Sequence, residues 1–197
     1  MRYPAEETAR RHQQIVAAAS RLFRERGFEG VSVAELMAAA GLTHGGFYAH
    51  FASKEDLVNA AVGQMFAEGQ ARLGQSLKAD TPRQALSDYL DFYLSKAHRD
   101  TRTAGCPLPF LAADAPRMDD AFRAQYAGGV ARLTARLAEP LAALGHPDAV
   151  ETAGSILAEM VGALALARAE PDVARSDAIL ERSLRAVRRR AGLDTPA

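Results

Sequence analysis

Apolar residues at 15, 18, 19, 22 and 23 follow the i, i+3, i+4, i+7, i+8 spacing of an amphipathic helix. Nowhere in the chain does a useful length of two-residue alternation replace that period, so no strand is predicted. This constrains the chain more than any other feature: it predicts an all-α fold of about nine helices. The punctuation agrees. Gly27 stops the first helix, with Arg24 and Arg26 in its last turn, where cations suit the helix dipole. Ser32 followed by Glu35 is a capping-box pattern for a short second helix that Gly41 ends. Thr43 is placed to cap a third helix, and Ser53 with Asp56 a fourth running from about 54 to 78. Thr81-Pro82 opens a helix expected to continue through His98, and a Pro-rich connector follows. Three further helices are expected over roughly 118–144, 148–169 and 175–191.

Those early stops frame an oddity, "GLTHGGFYAHF" over 41–51. Two adjacent glycines in a short helix cost about 1 kcal/mol each relative to alanine. The layout of helix, glycine-containing turn and second short helix is that of a helix-turn-helix, whose second helix enters the DNA major groove. Gly45 and Gly46 then let a helix start approach phosphates or base edges closely. Phe47 and Phe51, four apart, face the first helix. His44 and Tyr48, also four apart, face outward, where imidazole, phenol and the Lys54 amine can donate to phosphate oxygens.

The segment "GFEGVSVAELMAAAGLTHGGFYAHFASKEDLV" resembles the DNA-binding domain of the tetracycline-repressor (TetR) family of transcriptional regulators. The similarity runs in order over about residues 12–60, although the family's usual threonine at the start of the second helix is Ser32 here. The resemblance implies DNA contacts at Ser32, Thr43, His44, Gly45, Gly46, Tyr48, His50 and Lys54. It implies a reader domain over 1–54 and a larger ligand-binding and dimerisation domain over 55–197. Its partners would be a palindromic double-stranded operator, a small-molecule effector and a second copy of the chain, and its action that of a repressor released by the effector. His44 lies at a variable position of the family's reading helix, so the operator sequence does not follow.

Charge neither supports nor opposes this. Net charge is zero, with seven Lys/Arg against five Asp/Glu in residues 1–54. That argues against wholesale wrapping by nucleic acid and leaves a local site open. Hydrophobic residues make up 48%, enough for a sizeable core. A single cysteine fits a reducing compartment, and no signal peptide or membrane span is visible, so a cytoplasmic protein is expected.

In the second part, tyrosines among apolar side chains suggest a pocket with a few hydrogen-bonding groups. Leu86, Tyr89, Leu90, Tyr93, Cys106, Phe110, Phe122 and Tyr126 are its candidates. The helix at 148–169 is apolar around much of its circumference, and Ala153 and Gly154 would permit close approach of another helix. By the resemblance, the last two helices build a four-helix dimer bundle through Ala153, Gly154, Leu157, Val161, Leu164, Leu180, Leu184 and Val187. Cys106 precedes Pro107 at an expected helix start, where the dipole would lower a thiol pKa. Two roles stay open for it, a small buried packing residue or a sensor of oxidants or electrophiles. His98 and His146 are expected at the surface. No phosphate loop, nucleophile elbow or metal-ligand spacing is present, so neither enzymatic activity nor a cofactor is expected. The rival reading is a helical enzyme or binding module with a vestigial helix-turn-helix.

Overall fold

The computed structural model describes residues 5–194; the expected domain limits at residues 1 and 197 lie outside them. Among the described residues there are nine α-helices, three short 3-10 segments and no strand. Helix α1 (Ala5–Arg26) buries Ile15, Ala18, Ala19 and Phe23 along its stripe. Helix α2 (Val33–Ala39) starts on the expected capping box: Glu35 N–H donates to Ser32 Oγ at 3.3 Å, and Ser32 N–H to the Glu35 carboxylate at 2.8 Å. The chain turns out of α2 at Gly41, whose φ of +72° is left-handed backbone that a side chain would strain.

The segment His44–Ala49 is where the structure departs from the expected α-helix: it is a 3-10 turn, and Thr43 makes no side-chain cap. Six residues containing two glycines are too few and too floppy for a stable α-helical nucleus, and 3-10 geometry is the usual form of so short a piece. The two phenylalanines still point inward, Phe47 1% and Phe51 6% exposed. Helix α3 (Lys54–Ser76) is capped by Ser53, which accepts from Asp56 N–H at 3.1 Å. It packs on α1, α4 and α7, so one continuous helix joins the first helices to the later ones.

Helix α4 (Pro82–Tyr93) opens on Thr81 as expected but does not reach His98. Ser95 interrupts it: its hydroxyl accepts from His98 N–H at 3.0 Å and starts a separate helix, α5 (Lys96–Asp100). A serine that can satisfy the next turn's N–H groups favours a new start over continuation. His98 is thereby swung inward and is buried, not at the surface. A 3-10 turn at Arg102–Ala104 leads to α6 (Leu108–Asp114) and a further turn at Ala115–Arg117.

Helices α7 (Asp120–Ala143), α8 (Ala149–Ala169) and α9 (Val173–Arg190) complete the core. Asp119 and Asp172 cap α7 and α9 through Phe122 N–H at 2.7 Å and Arg175 N–H at 2.8 Å. Phe66 of α3 lies directly on the α7 backbone at Gly129, where any side chain would collide with the ring.

Candidate functional site

Two features of the chain carry chemistry, an exposed edge and an inner cavity. At the edge, Phe47 and Phe51 pin the 3-10 turn to α1 by stacking on one another at 5.8 Å, with His12 stacked on Phe51 at 4.5 Å. Their burial forces the remaining residues outward. Thr43, His44, Gly45 and Ala49 are exposed, and Tyr48 is 73% exposed, an unusual position for so large a ring. A side chain at Gly45 would meet nothing within the chain, and one at Gly46 only an ordinary contact with Met37. No internal packing therefore requires glycine at 45.

The other expected contact residues sit differently. Ser32 is occupied by the α2 cap. His50 is half-buried, its Nδ1 without a partner, and burial together with His12 and Arg11 pushes its pKa down. The Lys54 amine donates to the Phe28 carbonyl oxygen at 2.7 Å, tying α3 to the exit of α1.

The cavity lies between α3, α4, Leu133 of α7 and the segment from His98 to Pro107 and is tight, about 20 Å³, room for about one water. Of the expected pocket residues, Tyr89, Tyr93 and Cys106 line it; Leu86 and Leu90 are core. Tyr126 stands behind Phe66, ring centroids 6.5 Å apart. Phe110 and Phe122 do something else: they hold Phe28 of the α1–α2 turn at 5.9 and 5.7 Å, so a reader-half ring is clamped by the other half. Sequence reasoning missed the wall supplied by α3, namely Met65, Phe66, Gly69 and Arg72, and missed His98. The available signal was Arg72, a lone cation following Met65 and Gly69 at helical spacing.

His98 organises this region. Cys106 N–H, which can only donate, reaches its Nε2 at 2.9 Å. The neutral ring must then carry its proton on Nδ1, which donates to the Tyr93 carbonyl at 2.7 Å. Burial lowers the His98 pKa to about 4, with the positive charges of Arg168 and Arg72 adding to it. Cys106 itself corrects an expectation. Burial of the thiol raises its pKa, outweighing the Tyr93 hydroxyl and the Leu108 N–H that act in the lowering direction. The helix-start effect exists but desolvation wins, because α6 is only seven residues long and the thiol is enclosed.

Residues 15–61 match the family described as bacterial regulatory proteins, tetR family. Residues 82–182, just over half of the chain, match the C-terminal domain described as transcriptional regulator LmrA/YxaF-like. The chain belongs to the tetR family. It resembles an uncharacterized HTH-type transcriptional regulator, YfiR, of Bacillus subtilis, at 28% identity over 53% of this chain. That match spans about half, 51%, of YfiR. A second such regulator, from the lacX 3' region of Lactococcus lactis, is 25% identical over 82% of this chain and 85% of its own. A TetR transcriptional regulator from Chloroflexus aurantiacus has a solved structure with TM-score 0.79 and 26% identity, covering 92% of this chain and 94% of that one.

As a tetR-family regulator the chain needs its two halves joined, and the joints are visible. Arg24, 5% exposed near the end of α1, donates to Ser20 at 2.8 Å, pairs with Glu68 of α3 at 2.7 Å and reaches the Thr103 carbonyl at 3.4 Å. Arg102 in turn approaches the Glu25 carbonyl at 3.4 Å. The 102–106 segment thus touches the α1 end on one side and the cavity on the other.

The expected dimer residues divide into two groups. Ala153, Leu157, Leu164, Leu180 and Val187 are buried inside this one chain, where α8 packs on α7 and α9, so they are core residues and present no surface to a second copy. Gly154, Val161 and Leu184 are half-exposed. Beside them α8 exposes Val150 (65%), Ala158, Gly162 and Leu166 (62%), which the expected set omitted.

Proposed function

We propose that the chain is a homodimeric, cytoplasmic repressor that grips a near-palindromic operator through two copies of the 43–50 edge and releases it when a small molecule occupies the inner cavity together with the cleft outside it. The exposed edge carries the reading: bulky aromatics turned inward, and outward a glycine at 45 with no partner in its own chain beside a tyrosine in open solvent. Such an edge suits close approach of a phosphate backbone, which fixes register, while base edges specify sequence. The dimer face is argued from α8, which is apolar along a membrane-spanning length yet only 33% buried over its most apolar window. An apolar surface of that kind is normally covered by a partner.

Release would run from the cavity through the 102–106 segment and the Phe28 clamp to α1. A ligand does this only by binding the non-operator conformation more tightly, and the operator must then weaken ligand binding by the same factor. Nothing in this scheme requires enzymatic chemistry. The test is a gel shift with the DNA upstream of the protein's own gene, comparing wild type with Gly45→Glu. A sharp shift lost in the variant at unchanged melting temperature is expected; no shift by the wild type would overturn the proposal.

A further inference from the structure

The inner cavity adjoins a surface cleft, and the two share Arg72, Phe92 and His98. The surface cleft holds about 220 Å³ and the inner cavity about 20 Å³, room for about one water, so the occupant is small and its bulk lies in the cleft. The shared wall is aromatic, with the Phe92 ring stacked on His98 at 5.1 Å and the Arg72 guanidinium 5.7 Å from its centroid. Among all the residues lining either space, Arg72 is the one charged side chain.

Arg72 has no carboxylate partner among the described residues. Its guanidinium donates to the Ala104 carbonyl at 2.7 Å, which leaves further N–H groups for a bidentate contact. Glu68, one helical turn earlier, is already held by Arg24 and Gln64. Arg168, the other half-buried cation of this region, also bonds only carbonyls, those of Arg99 and His98. Arg72 is therefore a single fixed positive charge in the lining, with no fixed anion opposite it. Deeper in, Tyr93 Oη is fully buried, faces the weakly bonding Cys106 thiol and has no other hydrogen-bond partner, although it lines the space. A buried hydroxyl left unpaired costs free energy that a ligand oxygen would recover. His98 offers no such donor, since both its nitrogens are engaged.

We propose that the effector is a small planar aromatic carboxylate, its acid group paired with Arg72 and its ring against Phe92, with a polar atom of the deeper end meeting Tyr93 Oη. This rests on the reading of the cavity as the effector site. Arginine matches a carboxylate bidentately, and its attraction for an anion grows where water is excluded.

The test uses calorimetry on the full chain with paired probes, 1-naphthoate against 1-naphthamide and benzoate against benzamide, with decanoate as a non-planar acid. At least one aromatic acid should bind about tenfold or more tightly than its amide. Arg72→Gln should remove that preference while leaving amide binding unchanged, and Arg72→Lys should restore part of it. Tyr93→Phe should weaken acid and amide alike. Equal binding of acid and amide, tighter binding of decanoate, an undiminished preference in Arg72→Gln, or no aromatic acid binding below about 1 mM would each overturn the proposal. Operator binding by the ligand-free protein is measured in parallel. If it is intact and the acid preference absent, this inference fails alone; if it is absent, the regulatory reading fails whatever the acids do.

Discussion

Tyr48 and His98 show how far a single residue's surroundings decide its role. Tyr48 keeps one edge contact with Phe47, ring centroids 5.3 Å apart, and its hydroxyl has no partner among the described residues, so Tyr48→Phe should leave the melting temperature unchanged. It should weaken operator and random DNA by similar factors, because a phosphate contact carries no sequence. Fluorescence anisotropy on both DNAs reads this; a change in operator preference would contradict it. Lys54 is different, since its amine already holds the Phe28 carbonyl, and Lys54→Ala should lower stability as well as DNA affinity. His98 makes folding depend on pH. Its folded pKa, about 4, lies below the unfolded value of 6.5, so the unfolded chain binds the proton first as pH falls. The stability it contributes is complete above pH 6.5 and is lost progressively as the pH drops toward 4, by at most about 3 kcal/mol. Urea unfolding at pH 7 and pH 5 should show a clear part of that loss, smaller in His98→Gln; an unchanged midpoint would place the ring in water. No sequence pattern pointed to the buried ring, because a histidine after a serine reads as a helix-end residue until Ser95 is seen to break the helix.

At the scale of elements, the expected cap at Thr43 did not form, whereas those at Ser32, Ser53 and Thr81 were legible because capping is local, settled within four residues. The 3-10 form of 44–49, the break at Ser95 and the α3 wall of the cavity were not, because each depends on what packs from elsewhere. Met65, Phe66 and Gly69 read as ordinary core; what makes them a wall is space left by α4 and the 98–107 segment. The α3–α7 crossing gives a sharp test. Gly129→Ala should gain about 1 kcal/mol of helix propensity but lose about 1–3 kcal/mol to overpacking against Phe66. The clash wins, so the melting temperature should fall by a few degrees and recover in Gly129→Ala combined with Phe66→Leu. The Phe28 clamp is the second. Phe28→Leu forfeits edge contacts with Phe110 and Phe122 of about 0.5–1.5 kcal/mol each. It should keep operator binding while shrinking the factor by which bound effector weakens it; an unchanged factor in paired titrations would move the coupling elsewhere.

For the whole molecule, family and fold were legible from the ordered run over 12–60, whereas the exposed side of α8 was not. Period alone cannot tell which side of α8 its own chain covers. Ala153, Leu157 and Leu164 face inward, whereas Val150, Ala158, Gly162 and Leu166 are exposed and form the proposed dimer face. Leu166→Glu should give a folded monomer by light scattering and lose operator affinity, since two readers set about 34–36 Å apart, or a multiple, depend on the dimer. The central claim is that the 43–50 edge reads DNA sequence. The most direct measurement is anisotropy at one fixed salt concentration, with labelled upstream DNA and a shuffled copy of equal composition. The account predicts binding to the upstream DNA at least about a thousandfold tighter than to the shuffled copy. Equal affinity for the two would contradict it.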